Sequence, residues 1–207
     1  MNTEAIIHPK LHHLGLTTGN LEPLVDWYRK VLGMTIVHQT EAAAGGHENA
    51  PSIKAAWVSN DDANHRLAFV ELPGLAADPD RSRHQRIQHL AFEYRNIDEL
   101  LGSYARLKAL GIVPVMCTDA GAQTAFYYED PDRNSVEVNV DNFGSGWTSS
   151  EYMRTSPEFA DSPLGVFVDP DKMIVAREAG ASPWALHLRA RAGEFAPTKP
   201  YDLRDML

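Results

Sequence analysis

The chain has almost no cysteine: Cys117 stands alone among 207 residues. A single thiol excludes an intrachain disulfide, and with it the stapled secreted scaffolds, and it suits a reducing compartment. Basic residues are also scarce, with 19 Lys and Arg against 28 Asp and Glu and a formal net charge of −9. No Lys/Arg-rich run with interleaved aromatics offsets this balance, which argues against nucleic acid and anionic membrane as main partners, since phosphate recruits cations. Long apolar runs are missing as well. None approaches the roughly 20 residues that span a bilayer, and the opening Met-Asn-Thr-Glu-Ala-Ile-Ile-His-Pro lacks the basic and apolar regions of a secretory signal. A soluble cytoplasmic protein is expected. What is present, 43% hydrophobic and 23% charged residues, is the composition of an ordinary globular domain.

Taken in order, residues 11–18 predict a strand and Asn20 an N-cap. A helix follows in which Leu21, Leu24, Val25, Tyr28, Val31 and Leu32 share a face, with Gly33 as its left-handed stop. Strands are expected at 34–40, 53–58 and 65–72, and the Ala/Gly-rich segment 41–50 as a mobile loop. Residues 73–86 read as a connector. The pattern then returns: a strand at 87–94, Asn96 as cap, a helix carrying Ile97, Leu100, Leu101, Tyr104 and Leu107, Gly111 as stop, and strands at 113–117, 123–129 and 135–140.

The two halves match residue by residue. His13-Leu14 corresponds to His89-Leu90, each His precedes its Asn cap by the same interval, and Leu24 and Tyr28 correspond to Leu100 and Tyr104. A βαβββ unit is therefore present twice, at about 8–72 and 85–140, and such a repeat is a strong architectural signal. The expected fold is α+β, two tandem βαβββ modules forming a half-open barrel in a domain over 1–140. Residues 141–207 are an extended, partly helical C-terminal arm, with short helical patterns near 149–155, 170–179 and 183–192. The arm has too few apolar residues for its own core and is expected to pack on the repeat pair or on a second subunit.

The duplication carries a chemical expectation. His13 and His89 hold equivalent positions, which a pseudo-twofold axis can bring to one spot. In Val136-Glu137-Val138, the last strand of the second unit turns a carboxylate away from its two valines. A strand His or Glu alone is more often a solvated or core residue, but the bland reading gives no reason for the coincidence. Two imidazoles and one carboxylate leave open positions of the kind non-haem Fe(II) uses. Glu71, which also breaks an apolar run, is a candidate fourth ligand that would favour Zn(II) or Ni(II). Of the neighbours His12 and His13, strand alternation lets one face the cavity, and the repeat selects His13. His8, His38, His47, His65 and His187 are expected at the surface or in loops, and His84, on the connector, is held open as an acid/base.

The motifs His13-Leu-Gly-Leu, Trp27-Tyr-Arg-Lys-Val-Leu-Gly-Met34, His89-Leu-Ala-Phe and Tyr127 through Glu137 with its Asp-Pro-Asp turn resemble the vicinal oxygen chelate superfamily. That superfamily includes glyoxalase I, fosfomycin- and bleomycin-resistance proteins and type I extradiol dioxygenases. The resemblance covers residues 8–140 and implies a metal held by His13, His89 and Glu137. Tyr127 points to the extradiol group, where a tyrosine so placed donates a hydrogen bond to the metal-bound catecholate. The tail from Met153 to Val166 with Asp169-Pro-Asp is similar to those of short biphenyl-diol dioxygenase-like proteins. Two departures stand out: Thr118–Thr124 lacks the histidine usual there, and no acid/base histidine lies upstream of His89 unless His84 serves.

The resemblance implies ring cleavage of an aromatic diol with O2 on Fe(II), with Mn(II), Zn(II) or Ni(II) as alternatives. The competing readings are a glyoxalase-like isomerase or lyase using Glu71 or Glu137 as base, and a metal-free module that sequesters a ligand. A homodimer is expected, because open strand edges and a core-poor tail need cover.

Overall fold

The computed structural model describes residues 8–40 and 53–202; the expected loop at 41–50, with His47, lies outside them. The chain divides into two compact units, Met1–Ala77 and Asp78–Leu207.

The first unit runs β1 (Leu14–Thr18), α1 (Leu21–Leu32), β2 (Thr35–Gln39), β3 (Lys54–Ser59) and β4 (Leu67–Glu71). Its sheet has the order β1-β4-β3-β2, with β1 parallel to β4 and the other pairs antiparallel. α1 buries Leu21, Leu24, Val25, Tyr28 and Val31, an apolar stripe at helical spacing. The Tyr28 ring meets Phe69 of β4 with centroids 5.0 Å apart. Gly33 ends the helix at φ 64°, a conformation that costs a side-chain-bearing residue but not glycine.

The cap of α1 differs from expectation. Asn20 holds the N-cap backbone geometry, but its side chain makes no cap hydrogen bond. The Leu21 N–H instead donates to Oε2 of Glu71 at 2.9 Å.

The second unit repeats the plan with β5 (His89–Glu93), α2 (Ile97–Ala109), β6 (Met116–Asp119), β7 (Gln123–Glu129) and β8 (Ser135–Asp141). Here the expected cap forms: Asn96 accepts the Glu99 N–H, and the Glu99 carboxylate reaches back to the Arg95 N–H. β6 begins later than the sequence predicts, since Pro114 has no N–H for a ladder.

The C-terminal segment belongs to this unit. α3 (Gly146–Thr155), α4 (Pro157–Asp161), β9 (Val166–Phe167), α5 (Pro170–Glu178) and α6 (Pro183–Arg191) follow β8. β9 pairs antiparallel with β6, so the second sheet runs β5-β8-β7-β6-β9. Neither β9 nor α4 was signalled by periodicity, because two and five residues are too few to show one. α5 is tied to α2 by Arg177–Asp98 and Lys108–Asp171 pairs.

Candidate metal and substrate site

Three neighbouring strands of the second unit build one polar patch. Ala91 of β5 pairs with Glu137 of β8, which pairs in turn with Tyr127 of β7. Because side chains alternate, His89, Tyr127, Glu137, Asn139 and Gln123 share the sheet face opposite Val136, Val138 and Val140.

Glu137 is 2% exposed. Its Oε1 accepts from Gln123 Nε2 and Asn139 Nδ2, each at 2.7 Å. Its Oε2 faces His89 Nε2 at 3.2 Å. Gln88 Oε1 sits on His89 Nδ1; an amide oxygen only accepts, so the ring proton lies on Nδ1 and Nε2 is the nitrogen that could hold a metal. The Tyr127 ring stands edge-on to His89, with centroids 5.9 Å apart. Burial first, then the Glu137 carboxylate, raises the Tyr127 hydroxyl pKa well above the ordinary value, so the phenol keeps its proton.

In the first unit, His13 lies just ahead of β1 with His12 and His65. His12 Nδ1 and His13 Nδ1 are 2.9 Å apart, and the His13 and His65 ring centroids are separated by 4.2 Å. Ligand atoms of all three lie within 4.8 Å of one another, so this group could hold a metal ion. His12 stands beside His13, because β1 begins at Leu14 and strand alternation does not govern residues 12 and 13. His65 is no bystander either: parallel pairing of Leu14 with Leu67 carries it to them.

Glu71 is not the counterpart of Glu137. Leu14 pairs with Leu67 as Leu90 pairs with Val136, so Ala68 corresponds to Glu137 and Glu71 to Val140, on the opposite face. The Glu71 carboxylate is engaged by the Leu21 N–H and by Lys54 Nζ at 3.4 Å; the backbone hydrogen bond, then Lys54, hold its pKa below the ordinary value.

His84 is exposed on the connector, paired with Asp78 at 2.6 Å. His187, expected at the surface, is 7% exposed and bonded to the buried Asp119. Its helix was too weakly amphipathic in sequence to reveal which face turns inward.

Sequence comparison decides the family. Residues 10–138 match the Glyoxalase/Bleomycin resistance protein/Dioxygenase superfamily. The chain belongs to this superfamily. Within it, biphenyl-2,3-diol 1,2-dioxygenase 2 of Rhodococcus globerulus is 32% identical over 192 residues, 93% of this chain and 94% of the relative. Biphenyl-2,3-diol 1,2-dioxygenase 3 of the same organism is 29% identical over 186 residues, 90% and 91% of the two chains. Among solved structures, a glyoxylase/bleomycin resistance protein/dioxygenase domain from Frankia sp. EAN1pec superimposes with a TM-score of 0.55 at 16% identity. It covers 65% of this chain and 93% of that one, and agrees with the superfamily's paired βαβββ fold.

Nothing in the local sequence pattern marks Gln88, Gln123 and Asn139. The parity of Gln123 and Asn139 with Glu137 on adjacent strands was the signal that could have found them.

Proposed function

We propose that the chain is a metal-dependent extradiol dioxygenase that opens the ring of a catechol-type diol with O2. Biphenyl-2,3-diol is the first substrate to test, because both relatives are named for it. The observation that carries this reading is the buried Glu137 carboxylate, held by two amides and an imidazole. Among the described residues no Lys or Arg pairs with it. A buried carboxylate lacking a cation is costly, and a divalent ion on Oε2 and His89 Nε2 would remove that cost.

His13, the repeat equivalent of His89, is the proposed third ligand. Two imidazoles and a carboxylate suit non-haem Fe(II), with Mn(II), Zn(II) or Ni(II) as alternatives. When bound, the ion supplies Lewis acidity and a path for electrons from the diol to O2. The chain's own residues do the rest. Gln88 fixes the His89 tautomer, Gln123 and Asn139 hold Oε1 so that Oε2 is presented, and the Tyr127 hydroxyl donates to a diol oxygen. In the overall reaction the carbon–carbon bond beside the diol breaks and both atoms of O2 enter the product. A homodimer is part of the proposal, motivated by the exposed β2 edge.

Protein purified without oxygen and loaded with Fe(II) is expected to turn biphenyl-2,3-diol or another catechol into a yellow ring-opened product with stoichiometric O2 uptake. Glu137→Gln is expected to lose about 100-fold or more in metal affinity. A loaded enzyme that takes up no O2 across a catechol panel overturns the proposal.

A further inference from the structure

The second unit contains a cavity of about 400 Å³, within the range of about 300–1,000 Å³ usual for small-molecule pockets. It lies on the other side of the sheet from Glu137, since Thr124 and Val140, which line it, share the α2-facing side with Phe126 and Val138. The residues proposed for ring cleavage take no part in it.

Aromatic and aliphatic side chains form part of its walls, beside the polar Asn96, Thr124 and Asn142. Phe143 and Trp184 have ring centroids 5.5 Å apart, and Ile97, Val140 and Leu186 add apolar surface. His187 is among the polar side chains that line it. His187 Nδ1 is 2.8 Å from Asp119 Oδ2 and 3.2 Å from Asn142 Nδ2. Asn142 is oriented by donating Nδ2–H to the Gly121 carbonyl and accepting from the Thr124 hydroxyl, so its amide nitrogen cannot accept the imidazole proton. Asp119 therefore takes the Nδ1–H, and Nε2 is the acceptor that His187 presents to the cavity.

The charged groups at the rim are already engaged. Asp141 accepts from the Ser149 hydroxyl and the Phe143 N–H, and Arg95 is paired with Glu99. Among the described residues lining the cavity, Arg95 is the one Lys or Arg and it already faces a carboxylate, while Asp141 has its acceptor oxygens met by neutral donors. From these features we infer that the cavity is a second ligand site, specific for an uncharged aromatic ring bearing a hydroxyl group that donates to His187 Nε2. Phe143 and Trp184 contact the ring, and the site is separate from the proposed metal centre.

Phenol titrated into metal-free protein with isotope-labelled histidine tests this, because chelation at the metal centre then contributes nothing. The His187 resonance, identified by its absence from His187→Gln, is expected to shift saturably while that of His89 stays in place. Toluene is expected to bind about tenfold more weakly, having lost one hydrogen bond, and benzoate and phenethylammonium more weakly still. Val140→Phe, which fills the cavity, is expected to abolish the shift. Should His187→Gln not fold, saturable quenching of Trp184 fluorescence by phenol, lost in Trp184→Phe, reads the same event. A His187 resonance and Trp184 emission that phenol leaves unmoved overturn the inference, as does equal binding of toluene or preferential binding of the ammonium compound.

Discussion

The two modules share one strand order and one helix placement, yet they end differently. β2 of the first is exposed along its whole length, with Ile36 40% and Val37 54% exposed. Its counterpart β6 is buried at every residue, covered by β9 and the helices that follow. The helix caps differ in the same way. α1 borrows the Glu71 carboxylate from its sheet, whereas α2 carries its own Asn96. With α2 capped locally, the position equivalent to Glu71 is free to be Val140, and the space beside it becomes the aromatic cavity. A duplicated scaffold thus diverges through what is appended to it and through which single carboxylates are placed on which face.

The largest expected effect comes from undoing the appended part. Gly165 sits at φ +69°, and a Cβ there would lie 1.9 Å from the Asp119 carbonyl oxygen and 2.6 Å from Ala120 Cα. Neither atom can yield easily, because both are backbone: Asp119 is paired with Val166 of β9, and Ala120 follows it in the chain. Gly165→Ala is expected to lower stability by more than about 2 kcal/mol and to speed hydrogen exchange in β6 while leaving β3 protected. Unchanged exchange in β6 would mean that the arm does not buttress the second module.

A smaller effect separates the two carboxylates that interrupt apolar strands. Gln123→Leu removes one of the amides that aim Glu137 and is expected to weaken metal binding by about 10- to 100-fold, with the melting temperature little changed. Metal affinity equal to that of the unaltered protein would show that the amide plays no part in presenting the carboxylate.

Much of this was legible in the sequence because duplication makes patterns check one another. The stripes of α1 and α2, the Gly33 and Gly111 stops and the β7–β8 hairpin all rest on local periodicity and turn chemistry, which act within a few residues. What escaped depends on register. Whether Glu71 faces the helix or the opposite side is set by the pairing of Leu14 with Leu67, and a shift of one residue reverses every side chain. His65 joins His13 through that same pairing. His187 was lost for another reason: it lies on a short helix whose inward face is fixed by Asp119, 68 residues earlier in the chain, and no local pattern records such a partner.

The smallest effect concerns Glu71, and its sign is fixed by the direction of its titration. The Leu21 N–H and Lys54 stabilise the carboxylate in the folded state, so its folded pKa lies below its ordinary value of 4.5. Its contribution to stability is then complete above about pH 4.5 and is lost as the pH falls through the folded pKa. Glu71→Gln should melt slightly below the unaltered protein at neutral pH, and the difference should shrink and vanish on acidification. Metal content should not change, because the carboxylate caps α1. A Glu71→Gln protein that keeps its melting temperature but loses bound metal would return Glu71 to the ligand set.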